Sequence, residues 1–161
     1  MTEPRWLTPD EREAWLALWA VMLKLPATLD SELYKQAKLS IFDYNVLAML
    51  SEQDDRTMTM SRLAGMTNAS LSRLSHVAKK LEARGWLTRS QSPLDARVTM
   101  ATLTPDGVRS VQALAPEHVE SVRRLMFDQL DEADIADLTR VGQKIIRGLD
   151  EDHWIFHDQG D

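Results

Sequence analysis

Residues 68–89, NASLSRLSHVAKKLEARGWLTR, collect side chains suited to a polyanion. Leu71, Leu74, Val77, Ala78 and Leu81 recur at the spacing of one helix face, and Ser70, Ser72, Arg73, His76, Lys79 and Lys80 lie away from it. Serine and arginine near the start of such a helix can reach base edges, and an arginine fork suits the O6 and N7 acceptors of guanine. Lys79 and Lys80, further along, suit phosphates, which fix register without reading sequence. A solvated helix face usually mixes both signs of charge, yet this one carries a single acid, Glu82, near its far end. Asn68 is suited to the N-cap of this helix and Gly85 to the left-handed residue that ends it.

The formal net charge of the 161-residue chain is −6, but the charge is unevenly spread. Between Thr59 and Met100 there are seven basic residues (Arg62, Arg73, Lys79, Lys80, Arg84, Arg89, Arg97) and two acids, Glu82 and Asp95, an excess of five positive charges. Binding a polyanion requires positive charge concentrated on one face, not a basic total.

Other chemistries find less support. The chain has no G-x-G-x-x-G, no Walker-type loop, no H-E-x-x-H and no G-x-S-x-G, so neither an enzyme nor a cofactor is expected. The absence of cysteine excludes disulfides, thiolate metal sites and thiol redox sensing. His153 and His157 stand four apart beside Asp152 and Asp158, a spacing that places two imidazoles on one helical face. A tail histidine pair flanked by acids is more often solvated, so no metal site is assigned. No apolar run approaches the ~20 residues that span a bilayer, and MTEPRWLTPDERE lacks the apolar core of a secretory signal. The expectation is a cytoplasmic protein with no membrane partner.

The elements that must hold the basic helix follow from capping and periodicity. Thr8-Pro9-Asp10-Glu11 forms a capping box with proline at the first helical position, and Trp15, Leu18, Trp19, Met22 and Leu25 continue at helical spacing until Pro26, which should close the run. A short helix is expected around residues 31–37, a third from Ser40 through Phe42, Val46, Leu47 and Leu50, and a two-turn helix over 59–66 with a turn over 65–68. Residues 86–89 and 97–103 read as two strands around the polar tip SQSPLDA. Thr104-Pro105 opens a helix that Pro116 should kink or split, and a last helix runs from Asp131 through Leu149. The tail HWIFHDQGD should fray or serve at an interface.

Two short helices across a tight turn, followed by a β-hairpin, make a winged helix-turn-helix pattern. The run L-x-x-L-E-x-R-G-W-L-T-R, then S-P-L-D-A-R, then L-T-P-D-G resembles the MarR family of bacterial transcriptional regulators. The matching positions are Leu81, Glu82, Arg84, Gly85, Trp86, Leu87 and Arg89, then Ser92, Pro93, Asp95 and Arg97, then Leu103, Thr104 and Gly107. The resemblance implies a mainly α fold with a small β-hairpin wing. It places a winged helix-turn-helix lobe over residues 40–103 and dimerisation helices over 1–39 and 104–161 of a single 161-residue chain. It also implies a homodimer on double-stranded DNA, a repressor of a pseudo-palindromic operator relieved by a small aromatic or phenolic ligand. Regulation without a ligand or by a metal, and an adaptor that has lost DNA affinity, are the alternatives.

By position, the resemblance adds Asp95 bracing Arg97 for a minor groove, with Ala96 standing where the family often has a second arginine. Together with Asn68, Ser70, Ser72, Arg73, His76, Lys79 and Lys80, these form the expected DNA contact set. Trp15, Trp19, Ile135, Leu138, Ile145 and Ile146 are the expected dimer interface. Trp15, Trp19, Met22, Tyr44 and Met49 are the candidates for lining an effector pocket.

Overall fold

A computed structural model describes residues 3–157. It divides the chain into two compact units, one ending at Ile41 and one beginning at Phe42.

In the first unit, helix α1 spans Pro9–Ala37. The expected capping box closes its start: Thr8 Oγ1 accepts from the Glu11 N–H at 3.2 Å, and the Glu11 carboxylate accepts from the Thr8 N–H at 2.8 Å. Pro26 does not end it, and the separate helix expected over 31–37 is its continuation. Pro26 is exposed, so water can satisfy the carbonyl one turn back that proline leaves without a donor. Lys38, in the left-handed region at φ 56°, ends the helix by donating its N–H to the Tyr34 carbonyl. From Pro9 to Lys24 every residue is exposed, including Trp15, Leu16, Trp19, Val21 and Leu23. The helix buries only Leu29 and Leu33.

The second unit begins in helix α2 (Ile41–Ser51), whose Phe42, Tyr44, Val46, Leu47 and Leu50 are buried. A strand β1 (Thr57–Thr59) precedes α3 (Met60–Met66) and was not expected. Three residues are too few to display an alternating pattern, and only Met58 among them is buried. The wing is therefore part of a three-stranded antiparallel sheet in the order β1-β3-β2, with β2 at Leu87–Gln91 and β3 at Thr99–Leu103. Thr57 faces Thr102, their hydroxyls 2.9 Å apart, and Leu87 faces Leu103.

Helix α4 (Leu71–Ala83) buries Leu74, Val77, Ala78 and Leu81. Two local expectations change here. Gly65 lies inside α3, and Asn68 is the left-handed turn residue at φ 49°, a conformation asparagine tolerates. The cap of α4 is Ser70, extended, whose Oγ accepts from the Arg73 N–H at 3.1 Å. Leu71, expected in the apolar stripe, is 54% exposed because the first turn of α4 reaches beyond the core.

Gly85 (φ 73°) closes α4 as expected, in a Schellman arrangement: its N–H reaches the Glu82 carbonyl and the Trp86 N–H reaches that of Leu81. The same joint starts helix α5 (Pro105–Leu125). Thr104 Oγ1 donates to the Gly85 carbonyl at 2.6 Å and accepts from the Gly107 N–H at 3.0 Å. Pro116 neither splits nor ends α5, since it too is exposed. On α5, His118 packs on Tyr44 with ring centroids 4.4 Å apart. Burial pushes the imidazole pKa down and the Tyr44 phenol up.

Helix α6 (Glu132–Leu149) begins with a second capping box, Asp131 with Asp134, and buries none of its residues. The described part of the tail, residues 153–157, includes a 3₁₀ turn over Trp154–Phe156, with Arg147 over the Phe156 ring at 4.2 Å. Asp158, the acid expected beside His157, lies outside the described residues. No helix among the described residues is long and apolar enough to cross a membrane.

Gly107 is the most constrained point of the α4–wing–α5 joint. A Cβ there would overlap the Trp86 carbonyl oxygen and approach Leu103 Cδ1 to 2.7 Å. Gly107→Ala should therefore lower unfolding stability by about 1–3 kcal/mol in a denaturant titration, despite alanine's better helix propensity. An unchanged or raised midpoint would show that the joint yields.

Candidate nucleic-acid interface

Helix α4 turns its apolar stripe inward, which leaves Ser72, Arg73, His76, Lys79 and Lys80 exposed, with Asn68 and Ser70 exposed just ahead of it. Their surroundings separate them. Ser70 accepts the cap hydrogen bond but keeps its hydroxyl proton to donate. The Arg73 guanidinium lies 4.0 Å from the centroid of the Phe42 ring, a cation–π contact that consumes none of its N–H donors. Lys80, expected on a phosphate, donates to Asp43 Oδ2 at 2.5 Å; the carboxylate is 3% exposed and the lysine side chain 43%. Lys79 and His76 extend the exposed polar face.

The wing is fixed to α4 by a contact that the expected residue set omitted. Arg89 on β2 forms a fork on Glu82, Nε to Oε1 and Nη2 to Oε2 at 2.9 Å each, and its Nη1 donates to Ser75 Oγ at 2.9 Å. Hydrogen bonding to Arg89 holds the Glu82 carboxyl below its usual range and raises the guanidinium in turn. The single acid on the helix face is thus spent inside the lobe. The signals were present: Glu82 and Arg89 sit in the L-E-x-R-G-W-L-T-R run, and Asp43 is an acid within the otherwise apolar IFDYNVLAML.

At the wing tip the backbone is pinned by Ser92 N–H to the Val98 carbonyl and Val98 N–H to the Asp95 carbonyl. Asp95 Oδ1 accepts from the Arg97 backbone N–H and Nε, and Oδ2 accepts from Nη2, at 3.0–3.1 Å. These bonds hold the Asp95 carboxyl below its usual range. Arg97 is 90% exposed: its guanidinium is oriented by the aspartate yet presented to solvent. A narrow, electronegative minor groove attracts such a group.

The remaining predicted residues fall into the two units. On α1, Trp15 and Trp19 stack at 5.4 Å between centroids, and both are exposed along with Met22. In the second unit Tyr44 is buried and Met49 half-buried. Ile135, Leu138 and Ile145 of α6 are exposed and Ile146 half-buried. The His153 imidazole accepts from the Ile155 N–H, and no cluster of three or more metal-binding side chains occurs among the described residues.

Residues 39–99 match the sequence model of the MarR family. The fold is similar to the crystal structure of Sco3205 from Streptomyces coelicolor, a MarR family transcriptional regulator in complex with DNA. Identity is 33% and TM-score 0.88, covering 93% of this chain and 94% of that one. AbsC, a MarR family transcriptional regulator from the same organism, is 36% identical with a TM-score of 0.86, over 91% of this chain and 98% of that one. YdcH of Bacillus subtilis (strain 168), an HTH-type transcriptional regulator, is 32% identical over 71 residues, a match spanning 44% of this chain and 48% of that protein.

The two neighbouring lysines should behave differently. In duplex-DNA titrations across a salt series, Lys79→Ala should lower the slope of log K against log salt by about 0.9 for one lost phosphate contact. Lys80→Met should leave that slope alone and instead lower unfolding stability by about 1–3 kcal/mol, because it removes a charge-assisted bond to the buried Asp43 carboxylate. Equal slope changes in both variants would return Lys80 to the phosphates.

Proposed function

The chain belongs to the MarR family of transcriptional regulators, and from that membership we propose that it is a homodimer that represses from a pseudo-palindromic DNA operator. The observation that carries the reading is the pairing of an exposed, basic outward face on α4 with an Arg97 fork held by Asp95 at the wing tip. A helix face of this kind fits a major groove, where Arg73 reads guanine and Lys79 meets phosphate. Arg97 takes the neighbouring minor groove. The DNA complex of Sco3205, at 33% identity, supports carrying this mode over.

Dimerisation is supported by apolar surface that each unit leaves uncovered. Trp15 and Trp19 on α1 are 48% and 45% exposed; on α6, Ile135, Leu138 and Ile145 are 37%, 45% and 46% exposed. A second copy is the occupant that a two-fold operator requires. Relief by a flat aromatic acid belongs to the same proposal, with stacked Trp15 and Trp19 as its aromatic surface; such a ligand acts only by favouring the DNA-incompetent arrangement.

Selection from a random duplex library with the purified chain, alongside sedimentation, tests the reading. The expected result is a dimer that enriches an inverted repeat with half-sites centred about one helical turn apart, 10–10.5 base pairs. A monomer, or a library with nothing enriched, contradicts it.

A further inference from the structure

Leu71 is the first residue of α4 and is 54% exposed, whereas Leu74, one turn on, is fully buried. A single exposed leucine on a protein surface is ordinary. This one stands between Ser70, whose hydroxyl caps the helix, and Ser72 and Arg73, within the only turn of α4 that precedes its buried stripe. The N-terminal turn is the part of a recognition helix that meets base edges. Leu71 therefore places an exposed aliphatic group among hydrogen-bonding side chains, at the N-terminal end of the helix. It can form no hydrogen bond with a base edge. The apolar group a base pair displays in the major groove is the C5-methyl of thymine.

We propose that Leu71 is a specificity-determining residue that contacts a thymine C5-methyl in each half-site. The inference rests on the DNA-binding reading above and deepens it by assigning one base position to one side chain. Ser72 and Arg73 select by donors and acceptors; Leu71 selects by burying a methyl that cytosine and deoxyuridine lack. Substitution at Leu71 leaves the fold intact, since the side chain lies outside the buried stripe and alanine is a good first-turn helix residue.

The test replaces thymines by deoxyuridine, one symmetric pair at a time, in the duplex enriched by the full-length chain. Binding is read by fluorescence anisotropy for the parent and for Leu71→Ala. For the parent, one symmetric pair should weaken binding by about fourfold for each methyl lost, the value of one buried carbon group. For Leu71→Ala the same pair should have no effect, while sensitivity elsewhere persists, so that the double-mutant cycle isolates the contact. Indifference of the parent to every replacement, or equal sensitivity in Leu71→Ala, overturns the assignment and leaves the DNA-binding reading standing. Failure of the parent to bind any duplex overturns both.

Discussion

The forked pair of Arg89 with Glu82 joins the wing to the helix it must accompany, and the rest of the site depends on that junction. A bidentate guanidinium–carboxylate contact fixes direction as well as distance. Here both partners are only a quarter to a third exposed, which shields the pair from the screening that weakens surface ion pairs. The Ser75 hydroxyl adds a third bond to the same guanidinium. Behind the fork, the Gly85 Schellman turn and the Thr104 cap close the end of α4 and the start of α5 on adjacent backbone atoms. The exposed face of α4 is thereby tied to the strand that leads to the wing tip.

Electrostatic sorting follows from this construction. The chain is acidic overall, yet the acids within the basic stretch are both consumed: Glu82 by Arg89 and Asp95 by Arg97. Lys80 in turn is drawn to Asp43, a buried carboxylate that would be costly without a cation. Among the seven basic residues of the stretch, Lys80 and Arg89 thus help to build the lobe, while Lys79 and Arg97 offer their charge to solvent. Counting charges along the sequence cannot make this division. It requires knowing which partner lies across the fold.

That limit explains what the sequence disclosed and what it withheld. Capping chemistry was legible because it is local: Thr8 with Glu11, Thr104 with Pro105, Asp131 and Gly85 all act where their spacing places them. Pro26 did not end α1 and Pro116 did not split α5, because a proline's cost in a helix depends on whether the freed carbonyl meets water, which is a property of burial. Strand β1 was hidden because three residues carry no period, and its place in the sheet comes from residues more than forty positions away. Leu71 looked like core by spacing alone, whereas the helix end projects past the core that spacing assumes. Among the site residues, Arg97 and Asp95 were readable as a family signature. Ser75 became visible only with the fold, and Asp43, legible as an acid in an apolar run, gained its partner Lys80 only there.

In the proposed function the outward face of α4 occupies a major groove twice, once in each half of a dimer's site. The most direct measurement is interference mapping on the bound duplex with 7-deazapurines, which remove the N7 acceptor from the major groove and leave the minor groove unaltered. Two clusters of sensitive purines are expected, related by a two-fold axis and centred about 10 base pairs apart. Binding that tolerates every N7 deletion, or that depends on a single cluster, would contradict it.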